Sequence, residues 1–118
     1  MRITALVRDV ESLHRRLPWT ATAKWLELVI GDVSSFAAPS GALDFVVHSA
    51  NTAAASVVRS DGDALGRTVL DGSRHVAAVG AAAGAKRLLQ LSSGSVYGAH
   101  YVPAVPIAAG DAGQPVGL

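Results

Sequence analysis

The sequence contains no cysteine among its 118 residues. Disulfide scaffolds, zinc sites built on thiolates and cysteine nucleophiles are therefore excluded. An excess of charge of one sign is also lacking, because ten lysines and arginines stand against nine aspartates and glutamates, a formal net charge of +1. This balance shows neither the basic stripe of a nucleic-acid-binding domain nor an acidic tail, so we expect no nucleic-acid partner.

Long apolar runs are missing as well. Near the amino terminus, the apolar run Ile3–Val7 has five residues before Arg8 and Asp9, too few for the core of a signal peptide. The longest weakly polar run, 76–85, has ten residues, whereas roughly 20 are needed to span a bilayer. We therefore expect no membrane association and a cytoplasmic location.

What is present is the composition of one folded domain. Half of the residues are hydrophobic, 16% are charged and the mean hydropathy is +0.35, which argues against long-range disorder. A chain of 118 residues is long enough for one core. We place this domain at residues 1–97. From Gly98 to Leu118, proline and glycine are frequent and periodicity is lost, so we predict an irregular tail at residues 98–118.

Four short apolar runs are typical of strands that are buried on both faces of a parallel sheet. They are Ile3–Val7, Leu26–Ile30, Phe45–His48 and Leu88–Leu91. Helical segments separate them along the chain. The alternation predicts an α/β fold in which one four-stranded parallel sheet is connected by crossover helices.

Two helices have recognisable ends. The first is predicted over 9–17, with Asp9 as its N-cap and Pro18 as its stop. The second begins at Asp61 or Asp63 and runs to about residue 83, where Gly84 suits a left-handed C-cap. Its predicted buried stripe consists of Leu65, Val69, Val76, Val79 and Gly80.

Hydroxyl groups follow the last predicted strand. Ser92 and Ser93 come at its carboxyl end, and Tyr97 follows a glycine-containing turn. Ligands of open α/β sheets bind beyond the carboxyl ends of the strands. A hydroxyl that a rigid strand holds there can donate a hydrogen bond to a substrate oxygen.

Several motifs occur together and in one order. They are His48-Ser-Ala50, Asp71-Gly-Ser-Arg74, Ala83-Gly-Ala-Lys-Arg87 and Ser92-Ser-Gly-Ser-Val-Tyr-Gly98. Over about residues 3–98 the sequence therefore resembles the NAD(P)-dependent epimerase/dehydratase family, the extended short-chain dehydrogenases. The resemblance implies a partial Rossmann-like sheet, in which the four runs correspond to the second to fifth strands of the family.

The resemblance also implies roles around a small-molecule substrate of the nucleotide-sugar type. Ser93 matches the catalytic serine that hydrogen-bonds the substrate hydroxyl or carbonyl; a cap of loop amides is the alternative. Gly94, Ser95 and Tyr97 match the substrate pocket, although Tyr97 could equally be a packing anchor. The four histidines show no spacing that predicts a metal site.

Cofactor contacts are implied at the ends of three strands. Arg8 suits the 2′-phosphate of NADP, but Asp9 beside it suits the ribose hydroxyl of NAD, so both cofactors stay open and NADP is favoured only slightly. Alternatively, Arg8 is a solvated charge. Asp32 matches the position that contacts the adenine amino group, with Val33 along the ring; for Asp32 the alternative is an N-cap.

The third strand end, His48-Ser49-Ala50, matches the segment that passes the ribose and phosphates of the cofactor. Small residues there permit close approach. The alternative for His48 is a buried histidine with its hydrogen bonds satisfied.

Two family motifs are absent from the sequence. No G-x-x-G-x-x-G turn is present to bring backbone amides to the pyrophosphate. Tyr97 and Tyr101 are followed four positions later by tyrosine and valine, so the Y-x-x-x-K pair, which moves the proton in the family, is missing too. We expect weak NAD or NADP binding, no hydride transfer by this chain alone, and an interior piece of the family fold.

Two further expectations follow from these absences. A sheet without the family's first strand exposes apolar edges at Ile3–Val7 and Phe45–His48, which either pair with each other or cause self-association. The alternative to a catalytic domain is a non-catalytic Rossmann-like module that binds a nucleotide or a protein partner.

Overall fold

The computed structural model describes residues 1–50 and 62–92, with the side chains of residues 62–68 left aside. In chain order the elements are β1 (Ile3–Val7), α1 (Val10–Arg16), a 3₁₀ helix (Pro18–Ala21), β2 (Leu26–Ile30), β3 (Phe45–His48), α2 (Gly62–Ala82) and β4 (Arg87–Gln90). The first three strands have their predicted bounds. The fourth begins and ends one residue earlier than predicted, because its pairing with β3 runs from Arg87 to Gln90.

The strands form two parallel sheets of two strands each, β1 with β2 and β3 with β4. Ile3 lies opposite Leu26 in the first sheet, and Phe45 lies opposite Arg87 in the second. Parallel pairing across helical connections is thus confirmed. The predicted single four-stranded sheet is wrong for the described residues, because no ladder joins β1 to β3 there. Apolar runs locate strands, whereas pairing also requires backbones about 4.8 Å apart.

Helix α1 begins and ends as predicted. The Asp9 carboxylate accepts a hydrogen bond from the backbone N–H of Ser12 at 3.1 Å, which caps the first turn. Leu17 is the C-cap, and Pro18 starts the 3₁₀ helix rather than a further α-turn. Proline fits this first position because its missing N–H is not needed there.

Helix α2 ends in a Schellman motif. Gly84 has a φ of +78°, the left-handed conformation predicted for it. Its N–H donates to the Ala81 carbonyl at 3.1 Å, and the Ala85 N–H donates to the Gly80 carbonyl at 2.9 Å. The chain is thereby turned directly into β4.

The centre of α2 packs on one face of β3. Val76 is 7% exposed, and a Cβ placed on Gly80 would lie 3.1 Å from a methyl group of Val46. Two members of the predicted stripe, Val76 and Gly80, are therefore buried; Val79 is half-buried and Val69 is exposed, while the Leu65 side chain lies outside the described residues.

The other face of this sheet is exposed. Phe45, Val47 and Leu89 are 67%, 64% and 59% exposed. Alternation along the strand puts Phe45 and Val47 on the side away from α2, with Leu89 beside Val47. Burial on both faces, as predicted from the apolar runs, is therefore wrong for β3 and β4, since α2 covers only one face.

Within residues 1–50 and 62–92, no helix combines the length and the apolar character that a membrane crossing requires.

Candidate functional site

A cavity of about 270 Å³ lies at the carboxyl ends of β1, β2 and β3. The residues that line it follow or end these three strands, or belong to α2: Leu6, Val7, Arg8, Gly31, Asp32, Val33, His48, Ser49, Ala50, Val69 and Gly72. Parallel strands leave their sheets at the same edge, so segments far apart in sequence meet there.

All six residues that the sequence assigned to cofactor contacts line this cavity: Arg8, Asp32, Val33, His48, Ser49 and Ala50. The predicted catalytic Ser93 and the predicted substrate-pocket residues Gly94, Ser95 and Tyr97 lie outside the described residues. The structure therefore brings together the cofactor half of the predicted site.

Asp32 shapes the turn that follows β2. Its Oδ1 accepts hydrogen bonds from the Ser34 N–H at 2.9 Å and from the Ser34 hydroxyl, and its carbonyl accepts from the Phe36 N–H at 2.8 Å. This is the capping role that was the alternative for Asp32. In the described part of the chain, no hydrogen bond ends on Oδ2, so an exposed carboxylate oxygen remains at the cavity.

The electrostatics keep this carboxylate ionised. The hydrogen bonds from the Ser34 hydroxyl and N–H, together with the positive charge of Arg8, lower the pKa of Asp32 below its usual value, against a smaller opposing effect of desolvation. The cavity is thus lined by one acidic and one basic residue.

Arg8 and Asp9 are adjacent but have different roles. Arg8 is exposed and lines the cavity. Asp9 does not line it; its carboxylate caps α1 through the Ser12 N–H. The two residues, which give a mixed signal in the sequence, are therefore a cation that lines the cavity and an acid that caps a helix.

His48 ends β3 as a buried residue, 5% exposed. Its Nε2 lies 3.2 Å from the Ser73 hydroxyl of α2. This is the alternative stated for His48, a buried histidine with a satisfied ring nitrogen. Ser49 and Ala50, which follow it, are exposed at the cavity and present little bulk.

Helix α2 contributes residues that sequence reasoning missed. A Cβ on Gly72 would lie 2.8 Å from Cγ1 of Val33, so only a glycine lets the helix approach this closely. One turn further on, Nε2–H of His75 donates to the Phe36 carbonyl at 2.8 Å, and the two rings meet edge to face. The glycine inside the Asp71-Gly-Ser-Arg74 stretch was the available signal for this contact.

These groups fit one end of a dinucleotide. A carboxylate with a lowered pKa suits an amino or hydroxyl donor, a guanidinium suits a phosphate, and Ser49 and Ala50 leave room for close approach. The cavity has about 270 Å³, close to the roughly 300 Å³ at which ligand pockets begin. In the same residues no cluster of three histidines and acids could hold a metal ion.

Comparison with protein families gives one match. The model described as the NAD dependent epimerase/dehydratase family matches residues 2–113, which include every strand and helix described above. That family implies a Rossmann-like α/β fold, and parallel strands joined by helices agree with it. No curated protein and no solved structure matches the chain.

Proposed function

The chain belongs to the NAD dependent epimerase/dehydratase family, and on this premise we propose that its cavity binds the adenosine end of NADP in preference to NAD. One observation carries the proposal: six residues assigned from the sequence alone line a single cavity at the strand ends. When bound, the dinucleotide supplies hydride transfer to or from a carbonyl or hydroxyl centre of a small-molecule substrate.

Asp32 and Val33 would hold the base. The Oδ2 of Asp32, on which no hydrogen bond from residues 1–50 or 62–92 ends, can accept one from the exocyclic amino group of adenine. The apolar Val33 can lie along the ring. The turn that carries both residues is fixed by Ser34 on one side and by Gly72 and His75 of α2 on the other. A prearranged turn reduces the entropy lost on binding.

Arg8 would select NADP. Arg8 lines the cavity and its positive charge acts on Asp32, so its guanidinium could pair with a 2′-phosphate there. The acid beside it, Asp9, caps α1 and does not line the cavity, so it is not placed to accept the 2′-hydroxyl of NAD. This division supports NADP over NAD.

The segment at the end of β3 would lie along the sugar and phosphates of the cofactor. Ser49 and Ala50 are small enough for a ligand to approach the backbone, and His48 anchors them through Ser73. In this proposal His48 positions the segment and does not take part in proton transfer.

Residues after β4 would bind the substrate. We propose that Ser93 hydrogen-bonds a substrate oxygen and that Gly94, Ser95 and Tyr97 line the pocket, for a substrate of the nucleotide-sugar type. Because the 118 residues contain neither the phosphate-binding glycine turn nor a Y-x-x-x-K pair, we propose weak binding and no hydride transfer by this chain alone. The same observations favour, as a second candidate, a non-catalytic nucleotide-binding module.

Calorimetry with cofactor halves tests the proposal. Adenosine 2′,5′-bisphosphate and adenosine 5′-monophosphate differ only in the 2′-phosphate, so a comparison of the two isolates its effect. We expect the 2′-phosphorylated ligand to bind about fivefold tighter, as one exposed charge pair allows. Arg8→Gln should abolish this preference, whereas Arg15→Gln, an exposed arginine of α1, should keep it.

Two results would overturn the proposal. Equal dissociation constants for the two ligands in the unsubstituted chain would remove the NADP preference. An unchanged preference in Arg8→Gln would show that another cation holds the phosphate. Asp32→Asn should weaken the binding of both ligands to the same extent, since both carry adenine.

A further inference from the structure

Both tryptophans of the chain lie together on the surface, at the end of the first sheet opposite the cavity. Trp25 directly precedes β2, and its carbonyl accepts a hydrogen bond from the N–H of Ile3, the first residue of β1. Trp19 stacks on Trp25, with ring centroids 5.6 Å apart and ring planes 24° apart. We propose that this tryptophan patch, formed by Leu17, Trp19 and Trp25, docks an acidic segment of another protein.

The patch is apolar and open. Trp19 and Trp25 are 51% and 45% exposed, and Leu17 beside them is 43% exposed. Stacking on each other covers one face of each ring and leaves the outer faces and edges to solvent. Large exposed apolar groups that lie together, rather than singly, are typical of interaction surfaces.

The patch is also held in place before any partner arrives. Thr20, 7% exposed, donates its hydroxyl to the Leu17 carbonyl at 2.7 Å. The N–H and the hydroxyl of Thr22 both lie 3.3 Å from the Trp19 carbonyl. With Trp25 tied to β1, both rings stand on a fixed backbone, so docking orders few side chains and costs little entropy.

The segment that carries the patch is cationic, and the nearest acids along the chain, Glu11 and Glu27, lie just outside it. From residue 12 to residue 26 the sequence contains Arg15, Arg16 and Lys24 and no acid, although the whole chain has a net charge of only +1. Arg15 and Arg16 end α1 just before Leu17, and Lys24 adjoins Trp25. Within the part of the chain that is described, the salt bridges found do not involve these three cations. An apolar surface with a cationic rim is complementary to acids around an apolar anchor.

A protein segment fits this surface better than the other possible occupants. Tryptophan and arginine are the residues most enriched at the energetic centres of protein interfaces. A nucleic acid would require a longer basic track than three cations beside two rings. A second copy of the chain offers no acidic segment. Its nine acids are dispersed along the sequence, and the closest of them, such as Asp61 and Asp63, are still two positions apart.

Tryptophan fluorescence measures this surface alone, since the chain has two tryptophans and both belong to the patch. The probe is a short peptide rich in glutamate with leucine and phenylalanine at helical spacing. We expect it to change the emission wavelength and intensity in a saturable way, and to bind more weakly as salt is added. The same peptide with lysine in place of glutamate should give no saturable change.

Matched variants separate the rim from net charge. The triple variant Arg15→Gln, Arg16→Gln, Lys24→Gln and the control Arg74→Gln, Lys86→Gln, Arg87→Gln both change the net charge from +1 by −3, to −2. We expect the first to weaken peptide binding about tenfold and the second to change it less than about twofold. Far-UV circular dichroism establishes that both variants are folded.

Three outcomes would overturn the proposal: equal weakening in the two triple variants, no emission change with the acidic peptide, or tighter binding of oligothymidylate than of the peptide. The last would assign the patch to single-stranded nucleic acid. The proposal is independent of cofactor binding, because the patch and the cavity are at opposite ends of β1 and β2.

Discussion

The Nε2 atom of His48 lies 3.2 Å from the Oγ of Ser73 and so joins the end of β3 to the middle of α2. His48 is 5% exposed, and Ser49 and Ala50 follow it at the cavity. A buried ring nitrogen needs a partner, because water cannot replace the lost hydrogen bond. The bond therefore fixes both the packing of α2 and one wall of the candidate cofactor site.

Removing the Ser73 hydroxyl should destabilise the fold. Ser73→Ala leaves a buried polar atom of His48 without its partner, and we expect the free energy of unfolding in urea to fall by about 1–3 kcal/mol. Ser35→Ala, a serine exposed in the turn after β2, should change it by less than about 0.5 kcal/mol. In the double variant His48→Leu, Ser73→Ala, the loss should be smaller than the sum of the single losses; strict additivity would contradict the coupling.

Ser34 should control the ionisation of Asp32. Its hydroxyl and N–H lower the pKa of Asp32, with a smaller contribution from Arg8. Ser34→Ala removes the hydroxyl and keeps the N–H, so the pKa should rise toward 3.8, the usual value of an aspartate. Carboxyl-carbon NMR during a pH titration measures the shift, and Ser35→Ala is the control. An unchanged Asp32 titration in Ser34→Ala would refute the assignment.

The sign of the pH effect on stability follows from the same shift. Because the folded pKa of Asp32 lies below the unfolded value near 3.8, its ionised form stabilises the fold fully above that value. The contribution is lost as the pH falls through the lower folded pKa. Ser34→Ala should therefore reduce the dependence of stability on pH on the acid side of pH 4 and leave the slope at neutral pH unchanged.

Local features of this fold could be predicted because local physics decides them. The Asp9 cap, the stop at Pro18 and the left-handed Gly84 depend on hydrogen bonds and backbone angles within one or two turns. Three strands kept their predicted bounds for the same reason, since each apolar run ends at a polar or turn residue.

The pairing of the strands and the covering of the sheet faces could not be predicted from local patterns. Which strands share a ladder depends on how α2 places β3 relative to β1, and no residue pattern within a strand records that. The exposure of Phe45 and Val47 depends likewise on what lies over the sheet, and α2 covers only the opposite face. Arg87 begins β4 although it is charged, because its pairing partner Phe45 also faces solvent.

The candidate site also has one part that could be predicted from the sequence and one that could not. The strand-end residues were assigned through the resemblance to the epimerase/dehydratase family, and they lie at the edge where ligands of α/β sheets bind. Gly72 and Ser73 were missed as site residues: the Asp71-Gly-Ser-Arg74 stretch marks them, but the neighbours that they contact are known only once the helix is placed. His75 was missed for that reason too, since its partner Phe36 is 39 positions away.

Adding a methyl group at Gly72 should push α2 away from the cavity. Its Cβ would lie 2.8 Å from Cγ1 of Val33, a stiff β-branched side chain that has little freedom to move. Overpacking of this kind costs about 1–3 kcal/mol, which should exceed the gain of about 1 kcal/mol from alanine in a helix. We expect Gly72→Ala to lower the urea midpoint.

Two comparisons check the prediction for Gly72. Gly80→Ala meets Val46 at a longer 3.1 Å and should therefore cost less than Gly72→Ala. Shortening the neighbour in the double variant Gly72→Ala, Val33→Ala should recover part of the loss relative to Val33→Ala alone. If Gly72→Ala raises the midpoint, the close contact with Val33 is not present in solution.

We expect the chain to self-associate through its strand edges. Among the described residues, β1 and β3 each pair on one edge only, and two-stranded sheets are marginal in water. Apolar edges without lysine or proline invite pairing with another chain, so the mass measured by light scattering after size exclusion should rise with protein concentration. Ile3→Lys places a charge at the start of β1 and should shift the chain toward monomer. Ala38→Lys adds the same charge in an exposed loop and should not. A constant monomer mass at all concentrations, or equal effects of the two lysines, would contradict pairing through the edges.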